Sequence, residues 1–186
     1  MPEPHRGGPG PRQSRIARSA AIVAGTLFGV IAALHGLWAT GITWPFGDKE
    51  ALSETVFGSP ASTFPPPAAT MAVTVLLAAA VMLVTGRAGL WGARMPRWVF
   101  TAGTWAVAAV LFLRAVFYGP AAIGSDAINK SWELALYTPL CLMLGLLCAV
   151  IARGDIPAPR PILGRAGVTR SLGDQRTRWS AVRTTV

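Results

Sequence analysis

The apolar residues of this chain gather into four long blocks, separated by polar, glycine-rich or proline-rich stretches. The first covers residues 20–40 and carries no formal charge unless His35 is protonated. The second, residues 68–85, holds no ionisable group. The third, residues 98–117, contains one charge, Arg114, and the fourth, residues 132–152, has Glu133 in its first turn. Each block is near the roughly 20 residues that a helix needs to cross a bilayer. The pattern therefore predicts an all-α membrane protein, a four-transmembrane-helix bundle.

The connections differ in kind. Between the first two blocks lies a long polar loop, residues 41–67. Asp48 is a candidate N-cap there and Gly58 a candidate stop. Ala51, Leu52, Thr55 and Val56 fall near helical spacing between them, which predicts a short helix lying across the membrane surface. Pro60 and the run Pro65–Pro67 end it and start the next span. Asn129 or Ser131 is positioned to cap the fourth span, where Glu133 favours the helix N-terminus. Pro139 removes one backbone donor early in that span and predicts a kink. Residues 1–18 and 153–186 are rich in proline, glycine and arginine with little to bury, and are expected to be disordered tails flanking a membrane domain at 19–152. A basic flank before an apolar run also describes a secretory signal peptide. This run is long for that role and no small-x-small site closes it, so an uncleaved anchor is expected.

Composition supports the membrane reading. Of the 186 residues 52% are hydrophobic and only 13% charged, against about 25% charged in soluble domains. The mean hydropathy is +0.47. The net charge of +9 would suggest nucleic acid in a soluble protein, but no aromatic-basic module is present, and nucleic acid is not expected as a partner. The charges follow topology instead. Lys and Arg number four in the first tail, three in the loop after the second span and seven in the last tail, while the other two loops hold one each, Lys49 and Lys130. Positive-inside orientation then places both tails in the cytoplasm, with the 41–67 loop outside. The basic tails are expected to touch anionic lipid headgroups.

Cys141 and Cys148 lie seven residues apart in one span. On a helix their Cα atoms are about 10 Å apart, too far for a disulfide. A stripe of small residues, Ala21, Gly25, Gly29 and Ala33, offers the first span a close-packing ridge, for a neighbour in the bundle in preference to a homodimer seam.

Several short motifs occur in a distinctive order: His35-Gly-Leu-Trp38, Trp44-Pro45-Phe46, Leu52 to Gly58, Phe112-Leu113-Arg114-Ala115, and the stretch from Glu133 through Tyr137 and Pro139 to Cys141. This set resembles a family of small bacterial four-helix membrane proteins known only as a domain of unknown function. The resemblance covers about Ile16 to Ala152 and excludes both tails. It implies a four-span topology in a bacterial inner (cytoplasmic) membrane and no particular activity.

The orientation puts His35, Trp38, Arg114, Glu133 and Tyr137 near one membrane surface, as a candidate outer polar cluster. Arg114 and Glu133, on consecutive spans, are expected at matched depth and able to pair. A charge at the centre of a span costs about 2.5–3.5 kcal/mol, less near its end where Arg can snorkel. Arg114 is thus either structural or part of a ligand pocket. For His35 a hydrogen-bonded interfacial role is expected, and Trp38, Trp44 and Trp132 read as an aromatic belt. Glu133, Tyr137, Cys141, Leu144 and Cys148 share one helical face, expected to turn toward the bundle. The only histidines are His5 and His35, too few for a zinc or haem site, and no cofactor motif stands out. The preferred reading is a non-enzymatic membrane protein with an outward-facing polar pocket or a partner-binding surface, engaging a membrane protein or its own copy. The alternatives are a small enzyme acting on a lipid or quinone-like substrate, with His35 as acid/base and Arg114 as anion holder, and a transporter subunit.

Overall fold

The computed structural model describes residues 11–92, 94–123 and 129–154, so the sequence readings for residues 1–10, 155–186 and the loop around Asp126 lie outside the described residues. Four helices are long and apolar enough to cross a membrane: Ser14–Ala39, Pro67–Arg87, Arg97–Ile123 and Lys130–Arg153. No strand occurs among the described residues. The chain is a membrane protein of the all-helical class that the four blocks predict.

In chain order, α1 (Pro11–Ala39) is followed by a short α2 (Lys49–Leu52), then α3 (Pro67–Arg87) and α4 (Arg97–Ile123). The fourth span begins as α5 (Lys130–Trp132), widens into a π turn at Glu133–Tyr137, and continues as α6 (Thr138–Arg153). The main packing is α1 on α3 and α4 on α6, with α3–α4 and α1–α6 closing the ring and α3 touching α6 across it. The core is made mostly of alanine, at positions 17, 20, 21, 24, 80, 88 and 108, with Phe28, Val84, Leu144, Cys148 and Ile151 as its large members. Lipid tails are as apolar as these side chains, so burial alone holds the helices together only weakly. Small residues let the backbones approach, and dispersion and hydrogen bonds act at short range.

Helix ends extend past the apolar blocks. α1 starts at Pro11, within the stretch read as a tail. Proline suits a first helical position because its missing N–H has no partner there anyway. Ala17 is then buried where Gly154 closes α6: a Cβ on Gly154 would meet that of Ala17. α4 runs on through Pro120 to Ile123, beyond the expected end at 117.

The predicted ridge on α1 is only half right. Ala21 and Gly25 are buried, and a Cβ on Gly25 would lie 3.2 Å from Thr85 Cγ2 of α3. Gly29 has nothing within 4 Å and Ala33 is exposed. The buried stripe instead continues through Ala24, Phe28 and Ala32, because a straight helix at 3.6 residues per turn drifts away from a four-residue repeat.

One end of the bundle is basic. Arg87, buried at the end of α3, donates to the carbonyls of Ala152 and Gly154, the orphan acceptors at the end of α6. Arg153 lies over the Trp105 ring, 5.4 Å from its centroid. Arg15, Arg18, Arg94 and Arg97 are exposed at the same end. The turn there folds around Phe100, which packs edge-on to Trp91 at 5.3 Å and covers Gly86 and Gly92. A Cβ on Gly86 would collide with the buried Phe100 ring.

Gly86→Ala is expected to cost about 1–3 kcal/mol by overpacking, whereas Gly29→Ala should be neutral or stabilising by up to about 1 kcal/mol through helix propensity. Thermal unfolding in detergent, followed by circular dichroism, reads both; equal losses would contradict this packing.

Candidate functional site

The opposite end of the bundle carries the 41–66 loop. Asp48 caps α2 as the sequence predicts: its Oδ1 accepts the Ala51 N–H at 2.8 Å. α2 then widens into a π turn, Ser53–Phe57, that stops at Gly58 with φ of 67°. Only glycine adopts this backbone region without penalty. The loop has a small core of its own. Leu52 and Ser53 are buried, Phe57 meets Phe64 edge-on at 5.3 Å, and Lys49 lies over the Phe64 ring.

This loop docks on the fourth span through two contacts. The Tyr137 hydroxyl donates to the Thr55 carbonyl at 3.2 Å. Gly58 packs against the Asn129 carboxamide so closely that any Cβ there would collide with it. Tyr137 and Thr55 both sit in π turns, the irregular stretches of the two segments. Such turns are rare and concentrate at functional positions.

Within the fourth span the π turn arises next to Pro139. Thr138 N–H bonds the Glu133 carbonyl, five residues back. Where the sequence predicts a kink, the span has a wide turn beside the residue that cannot donate. The widening has a second effect. On a regular helix, residues five apart point about 140° away from each other. Here Thr138 Oγ1 reaches Glu133 Oε1 at 3.1 Å.

Glu133 is the buried centre of the site, 7% exposed. Arg114 of α4 meets it as a two-pronged pair: Nη1 donates to Oε1 at 3.0 Å and Nη2 to Oε2 at 3.3 Å. This fork geometry is the strong form of a charge-assisted contact. Gly119 allows the approach, since a Cβ there would stand 3.0 Å from Thr138 Cγ2. The other face of the Arg114 guanidinium lies over the ring of Tyr118, 4.9 Å from its centroid. The Arg114 side chain keeps 35% of its surface exposed.

That exposed side opens onto a cleft of about 340 Å³. Arg114, Glu133, Tyr118 and Asn129 supply its polar lining, and Phe57 and Ala121 belong to its apolar wall. Asn129 is the N-cap residue of α5, yet its side chain makes no capping bond. Its backbone carbonyl accepts from Glu133 N–H, and its carboxamide turns to Gly58 and the cleft.

The five sequence candidates therefore separate into two groups. Arg114 and Glu133 pair at the cleft, and Tyr137 ties the same turn to the loop. His35 and Trp38 belong to another cluster, and neither lines the cleft. His35 Nδ1 donates to the Ile31 carbonyl at 2.9 Å, and its ring leans on Trp38 at 4.9 Å. Trp38 donates to the Trp44 carbonyl at 2.9 Å and packs near Phe46. Trp38 is 7% exposed, whereas Trp44 and Trp132 are 63% and 50% exposed. Trp38 thus leaves the predicted aromatic belt, because the loop folds back over it.

Tyr118, Thr138 and Phe57 were missed in the sequence. Tyr118 had a usable signal, four residues after Arg114 on one helix. Thr138 had none, since its contact depends on the π turn. No group of three or more metal-ligating side chains occurs among the described residues.

Breaking the pair tests its strength. Glu133→Gln and Arg114→Leu should each lose about 1–3 kcal/mol, the range for a charged hydrogen-bonded pair that is part-exposed. The double variant Arg114→Leu/Glu133→Gln should lose clearly less than the sum. Additive losses in detergent unfolding would mean that the two side chains do not interact.

Residues 28–148 match the family model described as "Protein of unknown function (DUF3995)". The match spans more than half of the chain and lies inside the stretch that carries the resemblance, so the chain belongs to this family. No curated protein and no solved structure matches it.

Proposed function

We propose that this DUF3995 protein is a non-enzymatic protein of the bacterial cytoplasmic membrane that presents a ligand- or partner-binding pocket on the outer side. The observation that carries the reading is the cleft beside the Arg114–Glu133 pair. A pair serving stability alone needs no cavity next to it. Here one partner is buried and the other keeps a third of its surface turned to open space. Pockets of several hundred Å³ with an apolar wall and a few convergent polar groups are the usual form of a small-molecule site.

The outer placement rests on charge. Among the described residues, Arg15, Arg18, Arg87, Arg94, Arg97 and Arg153 gather at the basic end, while every described carboxylate, Asp48, Glu50, Glu54 and Glu133, is at the loop end. The positive-inside rule assigns the basic end to the cytoplasm. There the exposed arginines meet anionic lipid headgroups, at about 1 kcal/mol per residue near the surface. The enzymatic alternative required His35 and Arg114 to act on one substrate. His35 packs on Trp38 instead, and the cleft contains no histidine.

Two measurements test this proposal. In a variant with both native cysteines replaced by alanine, a membrane-impermeant maleimide should label Lys49→Cys in intact cells and Arg94→Cys only after permeabilisation; the reverse pattern inverts the map. Native mass spectrometry of the purified protein should show a small lipophilic adduct that is lost in Ala121→Phe, which fills the cleft from an exposed position. An adduct retained by that variant, or none in either protein, contradicts the pocket.

A further inference from the structure

The hydrogen-bond inventory of the cleft restricts what it can hold. Arg114 has five N–H donors and no acceptor. One hydrogen on each of Nη1 and Nη2 goes to Glu133. The remaining three, on Nε, Nη1 and Nη2, are given no acceptor by the site itself. Asn129 is 9% exposed and lines the cleft, where its carboxamide, free of any capping bond, adds two N–H donors and one acceptor. Together the two side chains offer the cleft more donors than acceptors.

Its charge, by contrast, is already balanced. Glu133 neutralises Arg114, and Thr138 also donates to the Glu133 carboxylate. An anionic ligand would meet Arg114 only by coming close to Glu133, and a cationic one would face Arg114. Each would also have to leave water for a region where charges are poorly solvated. The rest of the lining is apolar: Val56 and Phe57 from the loop, and Ala121 and Ala122 further along the α4 face that carries Arg114. Tyr118 at the rim is 61% exposed, so the cleft communicates with the outside of the bundle.

Resting on the pocket reading above, we infer that the cleft binds the uncharged, carbonyl-bearing head of a membrane amphiphile. Carbonyl oxygens accept from the free Arg114 and Asn129 N–H groups. The apolar body lies along Phe57 and Ala121, and the tail leaves past Tyr118 toward the lipid. Two sources share this chemistry, a prenylated quinone and a neutral glycerolipid. The ligand is held and not transformed, because the Arg114–Glu133 pair occupies the groups that would otherwise move a proton.

The test uses the full-length protein in detergent micelles with three probes: a benzoquinone bearing a decyl tail, a short-chain diacylglycerol, and a phosphatidic acid with the same acyl chains. Binding is read by titration of intrinsic tryptophan fluorescence. At least one neutral probe should bind about tenfold more tightly than the phosphatidic acid, and about tenfold more weakly to Ala121→Phe or Asn129→Leu. Quinone binding without diacylglycerol binding identifies the first source, and the converse the second. Ala121→Phe keeps the test decisive if Asn129→Leu fails to fold. Tighter binding of phosphatidic acid that is lost in Ala121→Phe overturns the neutral-ligand inference and leaves the pocket standing. No probe whose binding depends on Ala121→Phe overturns both.

Discussion

A guanidinium inside an apolar span has to find an anion or reach water, and Arg114 does both. Two of its N–H groups grip Glu133 while about a third of its side chain stays exposed. This requirement fixes α4 against the fourth span at one register. A slip of a single turn on either helix would leave a buried carboxylate facing apolar side chains, at a cost of several kcal/mol. The local irregularities of the loop end fit around it. The π turn beside Pro139 lets Thr138 join the pair, and Gly119 gives α4 room to come near. The same turn aims Tyr137 at the loop and so fastens Thr55.

The rest of the bundle uses a different device. Its core is alanine-rich, and its contacts depend on what is missing from the helix surfaces. Gly25 admits Thr85, Gly86 admits Phe100 and Gly103 admits Leu83. At the basic end Arg87 spends its charge on the last carbonyls of α6, tying the second span to the fourth. The two ends thus have opposite chemistry: one arginine bonded to backbone carbonyls, one paired with a carboxylate beside open space. Only the second arrangement leaves polar groups facing a cavity.

The sequence made the spans, the Asp48 cap, the Gly58 stop and the pairing of Arg114 with Glu133 legible, because each depends on local pattern or on adjacency in the chain. Two consecutive spans joined by a short loop have to run antiparallel, which brings residues 114 and 133 to one depth. His35 and Trp38 share that depth but not that face, and depth was all that the hydropathy pattern conveyed. Their separation from the cleft follows from helix rotation and from the 41–46 segment folding over Trp38. The role of Asn129 was hidden for a similar reason. Its place before a helix suggests a cap, whereas the loop residue Gly58, distant in sequence, determines where its carboxamide turns. Membership in a family of unknown function assigns no role and leaves that of the cleft to be established by its chemistry.

The most direct measurement is solid-state nuclear magnetic resonance in lipid bilayers, recoupling labelled arginine guanidinium nitrogens to labelled glutamate carboxyl carbons. A contact with N–O distances of 3.0 and 3.3 Å predicts one strong coupling, abolished when Glu133 is replaced. A protein that folds in the bilayer without any such coupling would contradict the account.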